Sequence, residues 1–184
     1  MSRFIALALC ALLAACAGAS PPAAPAPRKA VDPASFFTGR WYEIARTPIS
    51  LTTNCVAGTT DFYTTDYNQI IERDECRKGG TPEGPIQSFQ GAVFIDNPGE
   101  NTKFTVHYVI FGVLPIQQTY WVLDHADDYS WMIVSDPAFD HVDILGRAPQ
   151  TPKNEVTALT QKVRALGYDT SKLEFPPQFP KGEK

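Results

Sequence analysis

Long apolar runs are missing from most of this 184-residue chain, and runs of basic side chains are missing altogether. The longest apolar stretch, Phe4 to Leu13, is about half of what a helix needs to cross a bilayer. With a net charge of −4 and no basic cluster, the chain has no electrostatic grip for nucleic acid or anionic lipid. Histidine is scarce: His107, His125 and His141 are scattered without metal-ligand spacing. There is no Gly-x-Ser-x-Gly elbow and no glycine-rich phosphate loop. No catalytic residue, metal or cofactor is therefore expected. Asp124, Asp127, Asp128, Asp136 and Asp140 fall in turns, where Asp favours local hydrogen bonding; a calcium site there is the alternative. Aromatic and chain-breaking residues, by contrast, are plentiful. Eleven Phe, seven Tyr, three Trp, sixteen Pro and twelve Gly favour many short strands over long helices.

Residues 1–15 have the layout of a targeting segment, with Arg3 before the apolar stretch and small residues after it. The run Leu13-Ala14-Ala15-Cys16 resembles the lipobox of bacterial lipoprotein signal peptides. That resemblance implies a lipid-bearing Cys16 as first mature residue and, with Ala17 following, the outer membrane as destination. An ordinary secretory cut near Ala17 or Ala19 is the alternative. Several acyl chains on one Cys would anchor stably, at roughly 0.8 kcal/mol per buried methylene. Residues 16–34 are rich in Ala and Pro, a composition that favours extended geometry and reads as a semi-rigid tether.

Strand-length segments then follow one another: 40–47, 56–64, 69–77, 86–95, 103–111, 119–125, 129–134 and 141–148. Short turns such as Asp96-Asn97-Pro98-Gly99 and Ser135-Asp136-Pro137 separate them. Eight neighbouring strands predict an all-β antiparallel meander, closed into an up-and-down barrel that leaves no free edge. One helix is expected next, with Thr151 as N-cap, Pro152 at its first position and Gly167 as stop. Its stripe Val156, Leu159, Val163, Leu166 should pack on the outside of the last strands, so that Tyr129 to Val134 is apolar on both faces. The barrel domain is assigned to 35–175 and a tail to 176–184.

Outside the leader and the expected lipid-bearing Cys16, only Cys55 and Cys76 remain. Their midpoint falls in the turn Thr65-Asp66-Tyr67-Asn68, so the two face each other across a hairpin, compatible with a disulfide in an oxidising compartment. A redox or metal-binding pair is the alternative, with no Cys-x-x-Cys and no nearby His to support it.

Three segments then point to a family. Gly39-Arg40-Trp41-Tyr42-Glu43-Ile44-Ala45-Arg46 resembles the Gly-x-Trp signature that opens the lipocalin fold, in the form found in bacterial lipocalins and their apolipoprotein D-like relatives. Ile144-Leu145-Gly146-Arg147-Ala148-Pro149 resembles the third lipocalin signature, and Tyr120 to Tyr129 more loosely the second, lacking its usual Thr-Asp-Tyr. The resemblance covers most of residues 36–175. It implies that Trp41 plugs one end of the barrel with the Arg147 guanidinium stacked on its indole, a structural seal rather than a ligand contact.

Alternation from Trp41 and Arg147 turns Glu43, Ala45, Leu145, Asp143 and His141 inward. The resemblance adds Phe104, Val106, Tyr108, Tyr120 and Val122. The ligand implied is a fatty acid, lysophospholipid or similar apolar molecule, with its tail inside and its head at the mouth. A buried carboxylate needs a partner or a proton. Glu43 is therefore expected to meet Tyr120, Tyr108 or a ligand head group, and Asp143 puts a purely apolar interior in doubt. The loops 47–54 and 111–116 carry apolar residues and are expected to fold over the mouth as a lid, contact with a membrane or a partner being the alternative. A filled barrel acting as an interaction module and a catalytic lipocalin using Glu43 or Asp143 remain open, as does a homodimer.

Overall fold

Alternation of inward and outward side chains organises the molecule into two apolar layers, one inside a cylinder of strands and one between that cylinder and a helix. The computed structural model describes residues 23–110 and 112–179. The leader and Cys16 lie outside them. A one-turn helix α1 (Pro33–Phe36) precedes strands β1 (Gly39–Arg46), β2 (Cys55–Thr64), β3 (Ile70–Lys78), β4 (Ile86–Ile95), β5 (Lys103–Ile110), β6 (Leu114–His125), β7 (Trp131–Ser135) and β8 (Val142–Gly146). Helix α2 (Lys153–Ala165) follows. Each strand pairs antiparallel with the next, and β1 pairs with β8, so the barrel closes as expected.

The interior layer is aromatic at one end, where Phe36, Phe37, Trp41, Phe62 and Phe104 meet with ring centroids 4.9–6.3 Å apart. Such a cluster shuts that end. The outer layer joins Ile44, Ala45, Leu123, Ile133, Val142 and Ile144 of the sheet to Leu159 and Val163 of α2. β7 serves both layers, with Met132 and Val134 inside and Ile133 outside. The expected two-faced strand is present. Gly167 ends the helical segment with φ +98°, a conformation that costs glycine little.

Three local expectations need correction. The helix starts one residue late, with Pro152 at the N-cap and no side-chain cap bond, while the Thr151 N–H donates to Gln178 at 2.8 Å in the docked tail. Leu114, Pro115 and Ile116 belong to β6, opposite Ile110, Val109 and Tyr108, because the β5–β6 hairpin continues beyond the point where Pro115 suggests a loop. Residues 24–31 are not a free tether. Ala24 and Val31 are buried, and backbone N–H groups of Ala24, Arg28 and Val31 donate to Pro137, Leu123 and Glu100 at 2.8–3.2 Å. Lys29 adds a 2.7 Å contact to Asp127. The tail is docked likewise: Ala57 donates to Pro177 O, and Phe179 packs edge-on against Tyr42.

Cys55 and Cys76 are joined, with Cα atoms 5.5 Å apart. They are not opposite each other. The hairpin turns about Tyr67, with Thr64 facing Ile70, rather than midway between the cysteines; a bulge at Ala57 (φ 50°) then shifts the register by one so that Cys55 faces Lys78, and the bridge runs diagonally from β2 to β3.

Candidate functional site

The closed end is sealed as the sequence suggests. The Arg147 guanidinium lies 3.6 Å from the centroid of the Trp41 ring. The same group donates to the carbonyls of Thr38 at 2.7 Å, Arg40 at 3.0 Å, Ser35 at 3.2 Å and Phe36 at 3.4 Å. These bonds tie α1 to the strands. Burial without a carboxylate partner pulls the Arg147 pKa down to about 10.

Above this floor the barrel encloses a cavity of roughly 280 Å³. Phe62, Phe89, Phe104, Ile110, Met132 and Leu145 give it apolar walls. Glu43, Glu72, Asp74 and Asp143 break that surface. The acidic side chains come from β1, β3 and β8, three strands that lie side by side or nearly so around the closed sheet.

Each carboxyl is settled differently. Glu43 accepts from Arg46 Nη1 at 2.7 Å, and Arg46 also donates to Glu174 at 2.6 Å and to Cys55 O at 2.7 Å. Burial raises the Glu43 pKa, while Arg46 opposes the shift. Gly58 makes room here, since a Cβ on it would meet the Glu43 carboxyl at 3.0 Å. The Tyr108 hydroxyl contacts Glu72 and, at 2.8 Å, Asp74. One hydroxyl proton serves one acceptor, so the second contact needs a proton from a carboxyl. Glu72 supplies it: burial, then the neighbouring Asp74, pushes its pKa well above the ordinary value. The chain runs from Glu72 to Tyr108 to Asp74, and Asp74 also accepts from Thr60 at 2.6 Å. The Asp143 carboxyl, on a residue paired through its backbone with β1 and β7, has no hydrogen-bond or ion-pair partner among the described residues. Burial first, then Glu43 and Asp74, raises its pKa to about 8, so it is largely neutral at pH 7.

Of the residues expected inside, Glu43, Phe104, Tyr108, Tyr120, Asp143 and Leu145 line the cavity, with His141 at its mouth. Val106 and Val122 are buried on the interior side but below the open space. Ala45 is outside, against α2. A bulge between Glu43 and Ala45 breaks the alternation, places Ile44 and Ala45 on one face, and brings Arg46 to the cavity in Ala45's stead. Glu43 accordingly meets Arg46 rather than a tyrosine. Cys55 and Cys76 form part of the wall. Glu72 and Asp74 were missed because Ile70 to Lys78 carries charge on both faces, so polarity does not mark the inner one. Cys76 does mark it, since residues two and four before an inward disulfide partner share its face. The loop expected as a lid rims the mouth instead: Ile49, Leu51 and Ile116 line it yet stay exposed.

Comparison with known proteins agrees with this architecture. Residues 31–178 match the lipocalin-like domain family. The chain is 29% identical to temperature-induced lipocalin-1 of Arabidopsis thaliana over 145 residues, covering 77% of both chains. It is 30% identical to apolipoprotein D of Rattus norvegicus over 146 residues, covering 74% of this chain and 72% of the apolipoprotein. Among solved structures, insecticyanin from the tobacco hornworm Manduca sexta superposes with a TM-score of 0.64 at 20% identity, over 89% of this chain and 88% of its own. A closed eight-stranded barrel with one external helix, an arginine-capped tryptophan at its base and a cavity above it place this chain in the lipocalin family.

Proposed function

We propose that this lipocalin carries a single-chain amphiphile, a fatty acid or lysophospholipid, in the bacterial envelope, held to the outer membrane through lipid on Cys16. The observation that carries the reading is the open cavity with apolar walls and a belt of carboxyls. A filled barrel acting only as an interaction module would leave no such space. A volume of roughly 280 Å³ falls just below the range for small-molecule pockets, about 300–1,000 Å³. That size suits one acyl chain better than two.

Electrostatics ranks the two ligand types. Neutral Glu72 and Asp143 tolerate an alkyl chain beside them, and Glu43 is balanced by Arg46. Burial raises the Asp74 pKa as well, while the hydrogen bonds from Thr60 and Tyr108 oppose the shift. A ligand carboxylate beside this acidic belt finds Arg46 already paired with Glu43 and Glu174, whereas a zwitterionic head brings its own cation. Lysophospholipid is therefore the better fit.

The test is titration of the delipidated mature domain with lysophosphatidylcholine and with a fluorescent fatty acid, followed by competition between them. Saturable binding of both is expected, with the lysophospholipid displacing the fatty acid. Absence of saturable binding by either sinks the carrier reading, and tighter binding of the fatty acid reverses the ranking.

A further inference from the structure

Two independent observations concern the end of the barrel at which the cavity opens. The first is the path of the N-terminal strap. Val31 is bonded to Glu100 in the β4–β5 turn, beside the sealed base. Going back along the chain, Arg28 is bonded to Leu123, and Ala24 to Pro137 in the β7–β8 turn. That turn lies on the mouth side, as His141 at the cavity's rim shows. The strap therefore leads toward the mouth. Eight residues further back stands Cys16, a span of at most roughly 28 Å when fully stretched. A ten-residue strand such as β2 is already about 33 Å long. A lipid on Cys16 is thus kept to the mouth's side of the molecule unless the chain is drawn taut back along the barrel.

The second observation is the rim itself. Val113 is 82% exposed, Ile86 54% and Leu114 51%, with Ile49, Leu51 and Ile116 also exposed beside them. All are aliphatic, and none has a polar atom to satisfy with water. Near the base the described residues expose Tyr67 and Tyr63, whose hydroxyls water can solvate, while Phe94, half-exposed on the barrel wall, has the tilted His107 ring 4.5 Å away. Apolar exposure is thus concentrated where the strap points.

We propose that the barrel rests mouth-down on a phospholipid surface, held by the lipid on Cys16 and by its aliphatic rim. This rests on the anchor assigned above. The acyl chains on Cys16 hold the chain to the membrane, and the aliphatic rim fixes how the barrel sits on it. The mouth carries Glu83, Asp136 and Asp140 as well as Lys78, so the grip is apolar and does not require anionic lipid. Ligand then passes between bilayer and cavity without crossing water.

The mature, lipidated chain is reconstituted in vesicles of phosphatidylethanolamine with bromine-labelled phosphatidylcholine. Tryptophan introduced by Val113→Trp should be quenched several-fold more than tryptophan introduced by Tyr67→Trp, each read against the parent. Amide exchange, which needs no substitution, should slow at residues 112–114 on the vesicles and stay unchanged at 66–68. Equal quenching at both sites, quenching at Tyr67→Trp alone, or unchanged exchange at the mouth overturns the orientation. The mass of the N-terminal peptide reads the anchor separately. An unmodified Cys16 removes this proposal while leaving ligand titration of the soluble domain to decide the carrier reading.

Discussion

Burial decides which carboxyls in the cavity hold a proton, and Asp143 is the clearest case. Its pKa is raised to about 8 by burial and by the nearby Glu43 and Asp74. The folded protein keeps this proton while the unfolded chain releases it near the ordinary value of 3.8. Folding is therefore most favoured below that ordinary value and loses stability as pH rises through the window up to about 8, with a slope approaching 1.4 kcal/mol per pH unit. Glu43, Glu72 and Asp74 are shifted in the same direction and add to the loss. Asp143→Asn should flatten the profile, gaining on the parent as pH rises from about 5 to about 8. Urea midpoints across that range check it, and parallel profiles for parent and variant would refute the assignment. Asp143 and Glu43 were legible in the sequence because both are counted in twos from residues the family signatures fix, Arg147 and Trp41. Ala45 was misplaced by the same counting. A bulge is a backbone event with no side-chain marker in Glu43-Ile44-Ala45-Arg46.

At the scale of elements, the helix was readable because its stripe repeats every three or four residues, and a stripe must be buried on something. Leu159 and Val163 are both fully covered by the outer faces of β1 and β6–β8. Leu159→Ala should cost about 2–4 kcal/mol of stability through lost burial and the void left behind. Calorimetric or urea unfolding measures the loss, and ligand affinity should hold because α2 does not touch the cavity. A weakened ligand affinity would mean that the helix layer and the interior are coupled. The strap was not legible. Ala- and Pro-rich composition carries little apolar area, and nothing in residues 24–31 reveals carbonyls waiting on Leu123 and Pro137. Those acceptors are supplied by strands roughly a hundred positions later in the chain, which local composition cannot encode.

At the scale of the whole molecule, the closed barrel was legible from the count of strands and the brevity of the turns, while its exact register was not. The cysteines illustrate the difference. Their pairing followed from the lack of other candidates, but the diagonal geometry depends on a hairpin that turns about Tyr67 and on the bulge at Ala57. The bridge joins residues 21 apart and should contribute about 3 kcal/mol by restricting the unfolded chain. The double variant Cys55→Ser, Cys76→Ser is expected to unfold at correspondingly lower urea while keeping the native β-sheet circular dichroism. An unchanged midpoint would show that the bridge adds no stability.

Pairing of Tyr42 with Gly146 closes the cylinder across more than a hundred positions of chain. During synthesis, β1 is made long before the strand that flanks its second edge. Until β8 arrives, Trp41 has no guanidinium to cover it and the Ala24–Val31 segment has no groove to occupy. Assembly of this molecule is therefore a delayed handshake between its beginning and its end. Loop-closure entropy must be met before those distant contacts can repay it, which makes closure the slow step and the unpaired first strand the species most exposed to association with another chain.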